Sequence, residues 1–297
     1  MFFCISGVFS NPNTKLKSYI FKSFKRLIIP YIAFFFIGFV FTLIFNREII
    51  EKSSINYIIW QFVFAKPTDL NVGPIWFLPC LFVVKVYFYI INKLLIIKKN
   101  IFLNILSLLF IALIAFEIPV LEHKFQLSMP FKTDVAIMAL VFYIVGYYLK
   151  NEFINNSNFI NKYNLCLISL SSIILVIVPY YLLGLTNLSG GIYGDDLFYY
   201  LLCSFSGTIL IVSISYHMKE SRLLLFLGRN SLLFFSIHSL FIIFYDKTLH
   251  VLCIDRNVIS AILGTIIILL LTSLIVVVYQ LFINKLLRRG DYYQTQN

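Results

Sequence analysis

Eight apolar segments, most of them long enough to form a membrane-spanning helix, recur along this chain and constrain its fold more than any other feature. They run near 27–45, 74–91, 101–118, 135–149, 165–183, 197–216, 230–245 and 258–282. A hydrocarbon core about 30 Å thick takes about 20 helical residues to cross. Lipid offers the backbone no hydrogen-bond partner, so only an α-helix or a closed β-barrel can cross it. None of the segments alternates apolar and polar residues with period two, which excludes barrel strands. The sequence therefore predicts an all-α, polytopic transmembrane helix bundle with eight full spans. Segments 135–149 and 230–245 are short, and are expected to recruit flanking residues or to sit in thinner surroundings.

A ninth apolar run, Met1–Phe9, covers under half of the core thickness and passes directly into Lys15, Lys17, Lys22, Lys25 and Arg26. No basic stretch precedes it and its apolar part is short, so it does not read as a signal peptide. It reads as an N-terminal partial span whose beginning lies upstream of Met1.

Composition agrees with a bilayer. Hydrophobic residues make up 60% of the 297, charged residues only 12%, and mean hydropathy is +0.91, more apolar surface than one soluble core could hide. A net charge of +11 would on its own suggest nucleic acid, but the positive residues lie in short loops between spans rather than on one soluble face, so no nucleic-acid partner is expected. Loops 10–26, 92–100, 150–163, 217–229 and 283–297 carry 16 Lys and Arg, against 7 in loops 46–73, 119–134, 184–196 and 246–257. The positive-inside rule places the first set, and with it the C-terminus, in the cytoplasm. One further helix upstream would then make ten spans. No linker, repeat or low-complexity tract divides residues 1–297, which read as a single integral membrane domain.

Five scattered cysteines without C-x-x-C spacing give neither a disulfide framework nor a zinc site, and no metal centre is expected. Residues 15–30 read as an amphipathic helix leading into a span, with Lys15, Ser18, Lys22, Lys25 and Arg26 on one face. Two readings stand side by side: an anchor on anionic lipid, or a cradle for the phosphates of a nucleotide cofactor. The next span opens Gly73-Pro74-Ile75-Trp76-Phe77-Leu78-Pro79. There Trp76 suits an interfacial belt, and Pro79 is expected to free a carbonyl and kink the helix. Lys85, deeper in the same span, either snorkels to the cytoplasmic face or serves function. His238 falls about 14 Å above the cytoplasmic entry at Arg229, with Ser236 and Ser239 beside it as partners. Both a structural and a catalytic role are open to it. The turn Ser189-Gly190-Gly191-Ile192-Tyr193-Gly194 has no strand before it, so it is not read as a dinucleotide fingerprint.

Taken in order, FFCISGVF, KSFKRLIIPY, GPIWFLPCLFVV, IVGYYLK, the stretch from Ile192 to Ser215 and LGRNSLLFFSIHSLF resemble the acyltransferase-3 family of bacterial membrane O-acyltransferases, in particular its sugar O-acetylase branch. The resemblance covers essentially the whole chain. It implies ten helices, an acyl-CoA donor (in general acetyl-CoA, with no permanently bound cofactor) and an acceptor hydroxyl on a cell-surface or lipid-linked glycan. It further implies a bacterial inner-membrane location, with Lys22, Lys25 and Arg26 as the CoA-binding residues. Lysines stand here where the family often has arginines, which weakens bidentate phosphate binding. His238 matches a histidine of the family's late-helix motif, and Trp76, Lys85 and His238 form the candidate polar pocket for the acyl group or acceptor. The family's presumed catalytic histidine belongs to its first helix; none of the four histidines here maps onto it, so its counterpart is expected upstream of Met1. Competing expectations are a catalytically inactive relative and a transporter or flippase for lipid-linked oligosaccharide, which would favour repeat symmetry.

The orientation has a direct test. Alkaline phosphatase fused after residue 297 is expected to be inactive and, inserted in 184–196, active; the reverse pattern would invert every assignment of inside and outside.

Overall fold

Long helices dominate the computed structural model, which describes all residues except 13, 46, 67–69, 71, 95–100, 126–127, 151–156, 219–220, 253–254, 256 and 295–297. In chain order the helices are α1 (Phe2–Val8), α2 (Leu16–Phe45), α3 (Arg47–Lys52), α4 (Ile55–Val63), α5 (Phe77–Leu94), α6 (Ile101–Phe125), α7 (Thr133–Tyr148), α8 (Ser157–Val178), α9 (Leu197–His217), α10 (Arg222–Arg229), α11 (Ser231–Val251) and α12 (Val258–Gln294). Eight of them, α2, α5, α6, α7, α8, α9, α11 and α12, are long and apolar enough to cross a bilayer. The chain is an integral, multi-pass membrane protein. Many of their large apolar side chains are exposed, such as Ile262, Leu263, Ile266 and Leu270 on α12, which suits lipid contact and not water.

Several boundaries differ from the sequence reading. The basic stretch and the first full span form one continuous helix, α2, that passes through Pro30. Proline removes the hydrogen bond to the carbonyl four residues back, so the Arg26 carbonyl loses its helical partner. Pro79 does not kink a helix interior. It stands in the first turn of α5, after a 3-10 turn over Gly73–Trp76, where the missing N–H would have had little use. The short segment 230–245 extends to Val251 and takes in Asp246, Lys247 and His250, which the sequence pattern assigns to a loop. Of the loops, 46–73 contains α3 and α4, and 217–229 contains α10, with apolar residues such as Ile55, Ile59 and Leu223 exposed. Short helices of that kind suit the lipid–water interface. The segment expected as a terminal loop from residue 283 continues α12 to Gln294.

One unexpected element is a hairpin in loop 184–196. Thr186–Asn187 (β1) pairs antiparallel with Ile192–Tyr193 (β2), joined by a 3-10 turn over Leu188–Gly190. Gly191 closes the turn at φ 72°, and a Cβ there would press on the Pro119 ring at 3.2 Å. A strand does precede the glycines, then, but the chain returns into a second strand and not into a phosphate-binding helix.

Two compact units can be distinguished. The first comprises Met1–Ile32, Phe62–Ala65 and Trp76–Lys219. Its centre is α7: 67% of that span is buried, against 11–44% for the other spans of the protein. A helix apolar all round is what a position surrounded by other helices requires. Helix α1 crosses α7 at backbone contact. A Cβ on Gly7 would collide with the Tyr143 carbonyl, and one on Gly146 with the Cys4 carbonyl. Residues 4 and 7 thus meet 146 and 143 at one close crossing. Small residues at such a crossing let two helices meet closely in lipid, where packing and not the hydrophobic effect drives association. Phe2 and Phe3 then reach Phe77 at the start of α5, with ring centroids 5.9 and 4.8 Å apart.

The second unit comprises Ala33–Gln61, Lys66–Ile75 and Glu220–Asn297. Antiparallel α11 and α12 form its frame. The Tyr245 ring lies over Gly264, where a Cβ would strike it, and its hydroxyl donates to the Ser260 carbonyl at 2.7 Å. At the other end Gln280 Nε2 donates to Asn230 Oδ1 at 2.8 Å, and Asn230 Nδ2 donates to the Phe226 carbonyl, closing α10 onto α11. Lys247 donates to the Phe45 carbonyl at the end of α2.

The α1–α7 crossing carries a prediction. Gly146→Ala places a methyl where a backbone carbonyl lies, and side chains cannot yield to make room; overpacking of this kind costs about 1–3 kcal/mol or more. The variant is expected to unfold at lower temperature in detergent, by more than Gly73→Ala, whose Cβ would meet nothing within 4 Å. Equal melting temperatures for the two variants would contradict the backbone contact.

Candidate functional site

Three groups of polar residues stand out, two in the first unit and one in the second. At one end of the first unit lies the basic turn of α2. Its buried stripe is Tyr19, Ser23, Leu27 and Ile28, which leaves Lys22, Lys25 and Arg26 exposed. Lys85, half-buried on α5, lies close enough to Arg26 for the two like charges to interact. Neither cation forms an ion pair among the described residues. Tyrosine hydroxyls back this end: Ser10, Tyr19 and Tyr143 stand in line at 3.5 and 3.4 Å, and the Tyr89 hydroxyl donates to the Thr14 carbonyl. Lys93 lies over the Tyr89 ring at 5.0 Å.

The opposite end of the first unit holds a cluster that sequence reasoning missed. Asp134 sits in the first turn of α7, where a carboxylate complements the helix dipole. It is only 5% exposed, and its Oδ1 meets no hydrogen-bond partner. Tyr193, from β2 and 3% exposed, likewise has a buried hydroxyl without a partner. Burial pushes the Tyr193 phenol up from its usual value, and neighbouring Tyr200, Asp134, Cys80 and Glu122 push it the same way. Lys132, 5% exposed, donates to the Ser189 carbonyl and ties the hairpin to the start of α7. Phe131 and Lys132 both adopt left-handed backbone, at φ 53° and 56°. Such geometry costs about 1–3 kcal/mol per residue and persists only where surroundings over-determine it. No motif announces this cluster, because its members come from separate elements scattered along the chain from Cys80 to Tyr193. The one available signal was a Lys and an Asp at the start of a short, otherwise apolar span.

Trp76 is half-buried in the 3-10 turn before α5, its ring edge-on to Phe77. Lys85 follows nine positions later, about 13 Å along the helix. One small group could not touch both, so Trp76 belongs with the Asp134 end of the unit and Lys85 with the basic end.

His238, on α11 of the second unit, is half-buried. Its Nδ1 lies 3.0 Å from the Phe234 carbonyl of its own helix. A carbonyl only accepts, so Nδ1 carries the proton in the neutral ring and Nε2 is left with a lone pair. The serines expected beside it are not its partners: Ser236 Oγ and Ser239 Oγ are buried without hydrogen bonds. The Phe235 ring lies 6.2 Å from the imidazole. Among the described residues no group of three or more His, Cys, Asp or Glu could hold a metal ion.

The family model described as an acyltransferase domain, acyltransferase-3, matches residues 1–280. The chain belongs to the acyltransferase-3 family. Its eight spans are therefore those of a membrane acyltransferase. Comparison with curated proteins and with solved structures returned no match.

Ser236 offers a check on the geometry around His238. It is fully buried with an idle hydroxyl. Removing such a group relieves a desolvation cost of about 1–3 kcal/mol, less the small cavity left behind. Ser236→Ala is expected to melt at the same temperature or higher. A clear loss of stability would mean the hydroxyl is bonded in the folded protein.

Proposed function

We propose that the protein is a bacterial inner-membrane O-acyltransferase, with its C-terminus in the cytoplasm, that moves an acyl group from acyl-CoA to a hydroxyl of a cell-surface or lipid-linked glycan. The acyl group is acetyl and the donor acetyl-CoA. The observation that carries the reading is Arg26 beside Lys85, with neither paired to a carboxylate among the described residues. Two like charges at close range repel, and an anion bound between them turns that repulsion into attraction. Lys22 and Lys25 extend the same exposed turn. A CoA molecule presents a 3′-phosphate and a pyrophosphate, which match such a cation row.

In the transfer, the acceptor oxygen bonds to the acyl carbonyl carbon and the carbon–sulfur bond of the thioester breaks. CoA leaves as a thiolate, and a general base takes the hydroxyl proton and returns it to the sulfur. His238 is assigned to the path of the acyl group or acceptor. The lone pair on His238 Nε2 supports that assignment, since it can accept a hydrogen bond or a proton.

Discrimination between donors tests the reading. The protein in proteoliposomes is expected to transfer label from acetyl-CoA, and to prefer it to 3′-dephospho-acetyl-CoA. Arg26→Gln and Lys85→Gln are expected to raise KM for acetyl-CoA about tenfold, a charge-assisted hydrogen bond being worth about 1.5–3 kcal/mol. Both should also narrow the preference over the dephospho donor, with kcat changed less. Oligosaccharide movement across the bilayer without acyl transfer would instead favour the transporter.

A further inference from the structure

The cluster at the Asp134 end of the first unit has no part in holding CoA, yet it leaves two buried polar atoms idle. Asp134 Oδ1 and Tyr193 Oη are both without partners, inside residues only 5% and 3% exposed. An unpaired buried carboxylate oxygen costs more than an idle neutral hydroxyl such as that of Ser236, and a ligand that bonds it removes that cost. Their chemistries narrow what that ligand is. A carboxylate oxygen only accepts, whereas a phenol both donates and accepts. A ligand hydroxyl can donate to Asp134 and accept from Tyr193 at once, without adding charge.

Charge narrows it further. Among the described residues, Asp134 and Glu122 both act on Tyr193, and Lys132 and Asp134 both act on Cys80, so Lys132 faces two carboxylates. A phosphate or carboxylate ligand would meet net repulsion there; a neutral polyol would not. Aromatic surface borders the same place. The Tyr193 ring lies 5.1 Å from Tyr200 and 6.3 Å from Phe116, an apolar wall of the kind that the C–H face of a sugar ring covers. The strained backbone at Phe131 and Lys132 and the Lys132 tie to Ser189 hold the hairpin over this wall.

We infer that Asp134 and Tyr193, walled by Tyr200 and Phe116 and held by Lys132, form a binding site for hydroxyls of a neutral sugar. Within the acyl-transfer reading, on which the word acceptor rests, this site takes the acceptor sugar at the end of the unit opposite the CoA-binding cations. Asp134 and Tyr193 are binding residues here, and the transferring base is a separate group.

The experiment uses the full chain in lipid nanodiscs and a methyl hexopyranoside bearing a diazirine as the probe. Photolabelling is expected to map to peptides containing residues 116–134 or 184–200, and excess unlabelled methyl hexopyranoside is expected to compete it away. Asp134→Asn and Tyr193→Phe, which keep shape and remove the bonding atom or charge, should each lower that labelling about tenfold with melting temperature unchanged. Labelling elsewhere, labelling that does not compete, or full labelling in both variants would overturn the assignment. Should either variant fail to fold, the map and competition in the unaltered chain decide alone. Coenzyme A carrying a second photoreactive group is run in parallel. Sugar labelling without CoA labelling leaves this site standing and removes the acyl-transfer reading, whereas CoA labelling without sugar labelling removes this site alone.

Discussion

The backbone-to-backbone crossing of α1 and α7 is the contact on which the first unit depends. Gly7 and Gly146 each face the other helix's carbonyl, so no side chain separates the two helices. In lipid, where apolar side chains gain little by leaving one apolar environment for another, closeness of this kind is the main source of helix association. It sets α7 at the centre of the unit, and α7 in turn presents Asp134 at one end and Tyr143 with Tyr147 at the other. From Asp134 to Tyr143 the helix rises about 14 Å. The rigid core thus acts as a ruler between two chemically different ends.

Those ends differ in the sign of what they attract. Exposed cations of α2 and the half-buried Lys85 make one end a place for anions. The other has, among the described residues, two carboxylates against Lys132, idle oxygen atoms and aromatic walls, which favours neutral, hydroxyl-rich partners. The acyl transfer proposed above calls for both kinds of surface, with a polyanion as donor and an alcohol as acceptor. Within the second unit, the Phe234 carbonyl sets the tautomer of His238, so that Nε2 keeps the lone pair.

Much of this was legible in the sequence, and what was not has physical reasons. Hydropathy located all eight spans, because lipid leaves the backbone so few options. The continuity of α2 was not legible: its charged turn and Pro30 look like a boundary, yet a proline costs a helix one hydrogen bond and not its direction. The β1–β2 hairpin was not legible because strands as short as Thr186–Asn187 and Ile192–Tyr193 leave no room for alternation to register. Lys22, Lys25 and Arg26 could be singled out since neighbours in sequence are neighbours on one helix turn. Asp134 and Tyr193 could not, since the rest of α7, all of α8 and the hairpin turn stand between them in the chain and only the fold brings them together. His238 was found from its depth in a span, but its partner, a carbonyl one turn back, carries no side-chain signature at all.

The α1–α7 contact also bears on how the protein is made. Gly7 and Gly146 lie nearly half the chain apart, with the spans of α2, α5 and α6 synthesised between them. At roughly 5–20 residues per second, α1 waits on the order of 10–30 s after its own synthesis before its partner leaves the ribosome. Throughout that interval the glycine face of α1 has nothing to pack on, so the nascent chain must shelter it in the insertion machinery or against lipid. Assembly of the first unit is therefore timed by α7, and a substitution that weakens the crossing would show itself first during biosynthesis, as chains degraded before completion, and only later in the purified protein.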